Sequence, residues 1–154
     1  MRVILRDTGW ERTIRKITST GVKRTRRGIR QGFFAIGDDF VREVNNQVLR
    51  TRKTGRFYTR RSKSGRKIRH RASAPGESHA NRSGDLRKSA DYKIHAESMS
   101  VGYLDDPPDY DVFVEFGTKK MDPRPTIQNS LRAIERSAQE HLGREIVRAW
   151  REGF

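Results

Sequence analysis

Between Glu43 and Glu77 the chain carries eleven cations and no acid: Arg50, Arg52, Lys53, Arg56, Arg60, Arg61, Lys63, Arg66, Lys67, Arg69 and Arg71. A block of like charge this dense cannot form a layer of a packed domain, because its charges would be buried without partners. It needs water, an acidic protein surface or a polyanion. The block belongs to a wider asymmetry. Residues 1–71 hold 22 Lys/Arg against 5 Asp/Glu, residues 72–154 hold 12 against 14, and the whole chain of 154 residues stands at +15. Self-repulsion at that charge works against a compact free monomer. Leu, Ile, Val and Phe number 32, or 21% of the chain, just above the ~20% level below which highly charged chains stay disordered. The composition predicts a single domain over 1–154 with a thin core, stabilised by neighbours.

Other classes fall away on composition. With no cysteine there is no disulfide scaffold, thiolate zinc site or cysteine nucleophile. No apolar run approaches the ~18 residues that span a bilayer, and the start lacks a signal-peptide pattern, so a soluble, intracellularly made protein without membrane contact is expected. His70, His79, His95 and His141 lie 9, 16 and 46 residues apart; none forms a ligand pair, and they read as surface histidines. Asp105, Asp106, Asp109 and Asp111, with Glu115, offer the carboxylates a metal-dependent nuclease would need. Two prolines interrupt that cluster, and a solvated turn is the simpler reading. No catalytic residue, metal or cofactor is expected.

Periodicity gives the elements. Val3-Ile4-Leu5 reads as a short β-type run, and Trp10, Ile14 and Ile17 recur at helical spacing before Gly21 punctuates. Ile29, Phe33, Ile36, Phe40, Val44 and Val48 then mark one long amphipathic helix over 22–49, in which Gly28, Gly32 and Gly37 each cost about 1 kcal/mol and allow a break near Gly37. Residues 51–71 form a basic arm, either a β-hairpin or a disordered loop, with Phe57 and Tyr58 among its arginines. Within residues 72–122 come a loop, a short helix from about Ser83, and strand candidates over 91–96, 99–103 and 110–116. Ile127, Leu131, Ile134, Ala138, Leu142, Ile146 and Trp150 mark a C-terminal helix over about 123–154. The order predicts an α+β fold: a small antiparallel sheet packed on one face by a long N-terminal and a long C-terminal helix, with the basic hairpin or loop attached.

Four short motifs occur together. They are Ala74-Pro75-Gly76-Glu77, Ser83-Gly84-Asp85-Leu86-Arg87-Lys88-Ser89, Val114-Glu115-Phe116-Gly117-Thr118, and Arg124-Pro125. In this order and spacing the stretch over 70–133 resembles the tailed-bacteriophage tail-component family, whose members act at the neck or in tail completion, at the head–tail junction. His79 stands where that family usually has proline, and Thr126 where it often has an aromatic residue. The 105–109 stretch lengthens a turn that is usually short.

The resemblance implies a non-enzymatic virion protein at the neck or tail top, made in the host cytoplasm. It implies a homo-oligomeric ring, hexameric or dodecameric, that joins adjacent neck and tail proteins (an adaptor or head-closure ring, a tail terminator or the tail tube) and passes genomic DNA non-specifically through its lumen. A general nucleic-acid-binding protein is the alternative. Arg56, Arg60, Arg61, Lys63, Arg66, Lys67 and Arg69 are the expected contacts to DNA or an acidic partner. Pro75, Gly76, Glu77, Gly84, Leu86, Glu115, Phe116, Gly117, Arg124 and Pro125 are expected to build the fold and subunit contacts. Phe116 reads as the end of a core strand, and Pro123 and Pro125 as first-turn residues of the last helix.

Overall fold

The computed structural model describes residues 10–81, 83–96 and 98–152. The expected run at Val3-Ile4-Leu5 lies outside the described residues. Helix α1, Trp10–Leu49, runs 40 residues without interruption, about 60 Å at 1.5 Å per residue. Neither the expected stop at Gly21 nor a break at Gly37 occurs, and the reason lies in what packs there. Helix α4, Thr126–Arg151, runs antiparallel along α1. A Cβ on Gly28 would lie 2.6 Å from the Ile146 Cα and 2.8 Å from the Glu145 carbonyl oxygen. One on Gly32 would lie 3.1 Å from the Leu142 Cα, and one on Gly21 would lie 2.9 Å from the Trp150 ring. The glycines weaken the helix locally and let the two backbones close together; packing offsets their cost.

Phe40, Val44 and Val48 of α1 form the core with Ala90 and Ile134. It is thin, as the composition implies. Phe40 and Val44 are fully buried, yet Ser73, Ser78, His79, Ser89, Glu115, Thr126 and Ser130 are buried too. Polar groups inside must be hydrogen-bonded to be tolerated, and most here are.

The strands make two separate two-stranded sheets, the basic hairpin and a small sheet of two strands where three were expected. Strands β1 (Phe57–Arg61) and β2 (Lys67–Arg71) form an antiparallel hairpin, which decides between hairpin and loop. Helix α2 (Asp85–Lys88) follows, its Leu86 buried and its first turn entered through Gly84 at φ 94°. Strands β3 (Ala90–Ile94) and β4 (Met99–Tyr103) pair antiparallel. They meet α1 where the Tyr92 ring lies against Gly37 and the Tyr92 hydroxyl donates to Asp38 Oδ1 at 2.9 Å. The fold class is the α+β one expected, with two long helices packed together and against small antiparallel sheets.

The third strand candidate is a helix instead: α3, Asp111–Phe116. The Asp111 side chain accepts the Val112 backbone N–H at the start of the segment, and helical winding turns Glu115 inward while leaving Phe116 68% exposed. Phe116 therefore ends no core strand. No described helix is long and apolar enough to cross a membrane.

Candidate functional site

The hairpin places the expected contact residues in solvent. Arg56, Arg60, Arg61, Lys63, Arg66, Lys67 and Arg69 are all exposed, and none pairs with a carboxylate among the described residues. Pairing sets Phe57 opposite Arg71, Tyr58 opposite His70, Thr59 opposite Arg69, Arg60 opposite Ile68 and Arg61 opposite Lys67. Facing residues of an antiparallel pair share a side. One face therefore carries Arg61, Lys67, Arg69 and Arg71 with Phe57, and the other carries Tyr58, Arg60, Ile68 and His70.

Like charges directly opposite one another are unfavourable, so Arg61 and Lys67 strain the strand ends unless an anion bridges them. Nearer the base, Arg69 lies 4.0 Å from the centre of the Phe57 ring and Arg71 5.0 Å. These cation–π contacts hold the guanidinium groups in place on an otherwise bare two-stranded ribbon. Arg71 also donates to the Gly55 and Thr54 carbonyl oxygens at 3.2 Å each, fixing the hairpin base. Arg60, on the second face, lines a cleft of about 580 Å³ with Leu86, Arg87, Tyr110 and Val114. That face therefore borders the cleft through Arg60, while Arg61, Lys67 and Arg69 on the other face are exposed.

The motif residues gather elsewhere, at the N-terminus of α4. Pro75-Gly76 makes a tight turn: the Glu77 N–H donates to the Ala74 carbonyl oxygen at 3.2 Å, and Gly76 adopts φ 78°, as a turn with proline before glycine requires. The Glu77 carboxylate accepts from the Ala74 N–H at 2.8 Å and from the Thr54 N–H and hydroxyl. It thereby ties the turn to the hairpin base, and these hydrogen bonds hold it below the usual carboxylate range. Arg124 donates to the Ser73 and Asp122 carbonyl oxygens, and the Gly76 N–H donates to the Pro123 carbonyl oxygen at 3.0 Å.

Pro123 and Pro125 stand just before α4 and not in its first turn, since the Pro125 carbonyl accepts the first helical hydrogen bond, from Asn129. Glu115 then caps that helix from α3, accepting the Ile127 and Gln128 N–H groups at 3.2 and 3.1 Å. Burial pushes its carboxyl up, against the pull of those donors. Gly117, at φ 77°, lets the chain turn where a Cβ would lie 2.7 Å from the Met121 carbonyl oxygen. Pro75, Gly76, Glu77, Glu115, Gly117, Arg124 and Pro125 thus build one junction joining hairpin, α3 and α4.

One further position differs from the sequence reading. His79 is buried, not on the surface: its backbone N–H donates to Thr126 Oγ1 at 2.9 Å, and its Nδ1 lies 2.8 Å from the same oxygen. The aspartates at 105, 106, 109 and 111 are not assembled with Glu115, whose carboxylate is spent on α4. Among the described residues no group of three or more carboxylates and histidines is placed to hold a metal ion. Arg87 stood in a motif but was given no role; its Nη1 donates to Asn45 Oδ1 of α1, and its buried Nε has no hydrogen-bond partner among the described residues. Only the fold brings those two residues, 42 positions apart, together.

No protein-family model, curated protein or solved structure matches this chain.

Proposed function

We propose that the protein is a non-enzymatic structural subunit of a tailed-phage head–tail junction, assembled as a ring through which DNA passes, with the hairpin reaching to that DNA or to an acidic neighbouring ring. The observation that carries this reading is the ordered hairpin, one face of which exposes Arg61, Lys67 and Arg69, none paired with a carboxylate among the described residues. A surface of this kind gains free energy by releasing the counterions condensed on a polyanion, whatever its sequence. The motif resemblance supplies the setting. The thin, polar core supports a subunit that draws stability from its neighbours.

Replacing Arg60, Arg61, Lys63, Arg66 and Lys67 together by glutamine tests the reading, since all five are exposed and the fold is expected to survive. Phage carrying the variant should accumulate unjoined heads and tails. Normal joining, with DNA retention and ejection unchanged, overturns the proposal. The general nucleic-acid-binding reading is favoured by one feature, the 57% exposed Tyr58 ring on the hairpin, which offers a stacking surface for a base. It expects the chain to bind duplex DNA or RNA as a monomer, with affinity falling steeply as salt rises.

A further inference from the structure

Arg60 of β1, Arg87 of α2, Tyr110 just before α3 and Val114 within it line one cleft, so its walls come from three separate stretches of the chain. At about 580 Å³ it has the volume of a small-molecule site. Like such sites it sets a few polar groups against apolar surface, here Leu86 and Val114.

The Arg87 guanidinium is held at this cleft without a counter-charge. Asn45 of α1 accepts from its Nη1, and its buried Nε has no hydrogen-bond partner among the described residues. No carboxylate pairs with it there either. Its Nη2 lies 3.9 Å from where a Cβ on Gly84 would stand, and Asn81 Oδ1 and Lys88 Cε each lie 3.7 Å from that same point. Three polar side chains thus gather over a residue that has none. A guanidinium partly withdrawn from water is costly to keep unless an anion joins it, and its planar fork suits phosphate. Arg60 is the second arginine of the lining, and Asp85 is the one acid among the described lining residues. His79, also in the lining, is neutral at pH 7. The cleft is therefore net cationic.

A bare anion would occupy the guanidinium groups and leave the rest of the cleft unfilled. Tyr110, 45% exposed, offers a ring on which a base can stack, beside the Leu86 and Val114 side chains. We propose that this cleft binds a nucleotide, its phosphate between Arg60 and Arg87 and its base against Tyr110. A free nucleotide and an unpaired nucleotide of a strand share this chemistry. Tyr58 stands on the same hairpin face as Arg60, two residues away, and gives a strand a second stacking surface. The site lies within one chain, goes beyond the ring reading and does not depend on it.

Calorimetric titration of the full chain with thymidine monophosphate tests the site, with inorganic phosphate and thymidine as the two halves of the ligand. The monophosphate should bind once per chain and more tightly than either half. Arg60→Gln and Arg87→Lys should each weaken it about tenfold. Asp85→Asn should tighten it, and Tyr110→Ala should bring it close to phosphate alone. Arg132→Gln removes an exposed cation from α4 and should leave binding unchanged, which separates the cleft from the general positive field. Arg60 is exposed, so its variant reports on the site even if Arg87→Lys unfolds. A short oligothymidylate that displaces the mononucleotide and binds more tightly assigns the site to a strand; one that does not displace it assigns the site to the free nucleotide. No binding of either, binding indifferent to Arg60→Gln, or binding of an oligoglutamate peptide where the monophosphate fails overturns the proposal and leaves the ring reading standing.

Discussion

His79 and Thr126 are joined twice, through the backbone N–H of His79 at 2.9 Å and its Nδ1 at 2.8 Å, both to the single Thr126 hydroxyl. A proline at position 79 would have no N–H to give, so the backbone half of this pairing needs another residue there. The Tyr103 hydroxyl lies 3.4 Å from the same Nδ1, and its phenol is pushed up by burial. Burial, with the Lys53 charge adding to it, lowers His79 from 6.5 to about 4. The ring is neutral at pH 7.

The His79 shift sets a pH dependence. Unfolded, His79 takes its proton near 6.5; folded, only near 4. Below 6.5 the unfolded chain therefore binds more protons, and stability falls as pH drops from about 6.5 to about 4, with no further loss from this group below. The contribution is at most roughly 3 kcal/mol. Urea midpoints measured across this range should fall less steeply for His79→Gln than for wild type. Parallel profiles contradict the assignment.

The same substitution should have opposite signs at two glycines. At Gly28 an added methyl meets the α4 backbone 2.6 Å away, so Gly28→Ala should lose about 1–3 kcal/mol from overpacking, despite its better helix propensity. At Gly143, within α4 itself, nothing lies within 4 Å of a Cβ, and Gly143→Ala should gain about 0.5–1 kcal/mol. A thermal or denaturant midpoint that rises for Gly28→Ala as it does for Gly143→Ala would show that α1 and α4 are not in close contact there.

Glu115→Ala should cost about 1–2 kcal/mol, because two N–H groups at the start of α4 lose their acceptor. Glu115→Gln keeps one carbonyl oxygen for two donors and should fall between. If the alanine variant unfolds at the wild-type denaturant midpoint, the cap contributes nothing.

The elements with long periods were legible. The stripes through Phe40, Val44 and Val48 and through Ile134 and Ile146 each extend over several turns, long enough that only a helix satisfies them. The run from Tyr110 to Phe116 was not, because six or seven residues fit both periods, and the deciding contact, Glu115 with the start of α4, is non-local. The helix glycines were seen as a cost, but their use depended on which residues of α4 lay opposite. The hairpin's cations stood out from spacing alone. Their division into two faces depended on a register that the residues between Arg61 and Lys67 fix through the Ser62 N–H to Arg66 carbonyl bond, 2.8 Å long. His79 and Arg87 were hidden for the same reason as Glu115: their partners are remote in sequence.

The account stands on the chain being one subunit of a closed assembly, and the most direct check is its appearance in solution. Purified full-length protein at physiological salt, freed of nucleic acid, should give a single defined mass, a whole multiple of 17.9 kDa, and annular particles with an open centre by electron microscopy. Well-folded single chains at every concentration, unchanged when duplex DNA is added, would contradict it.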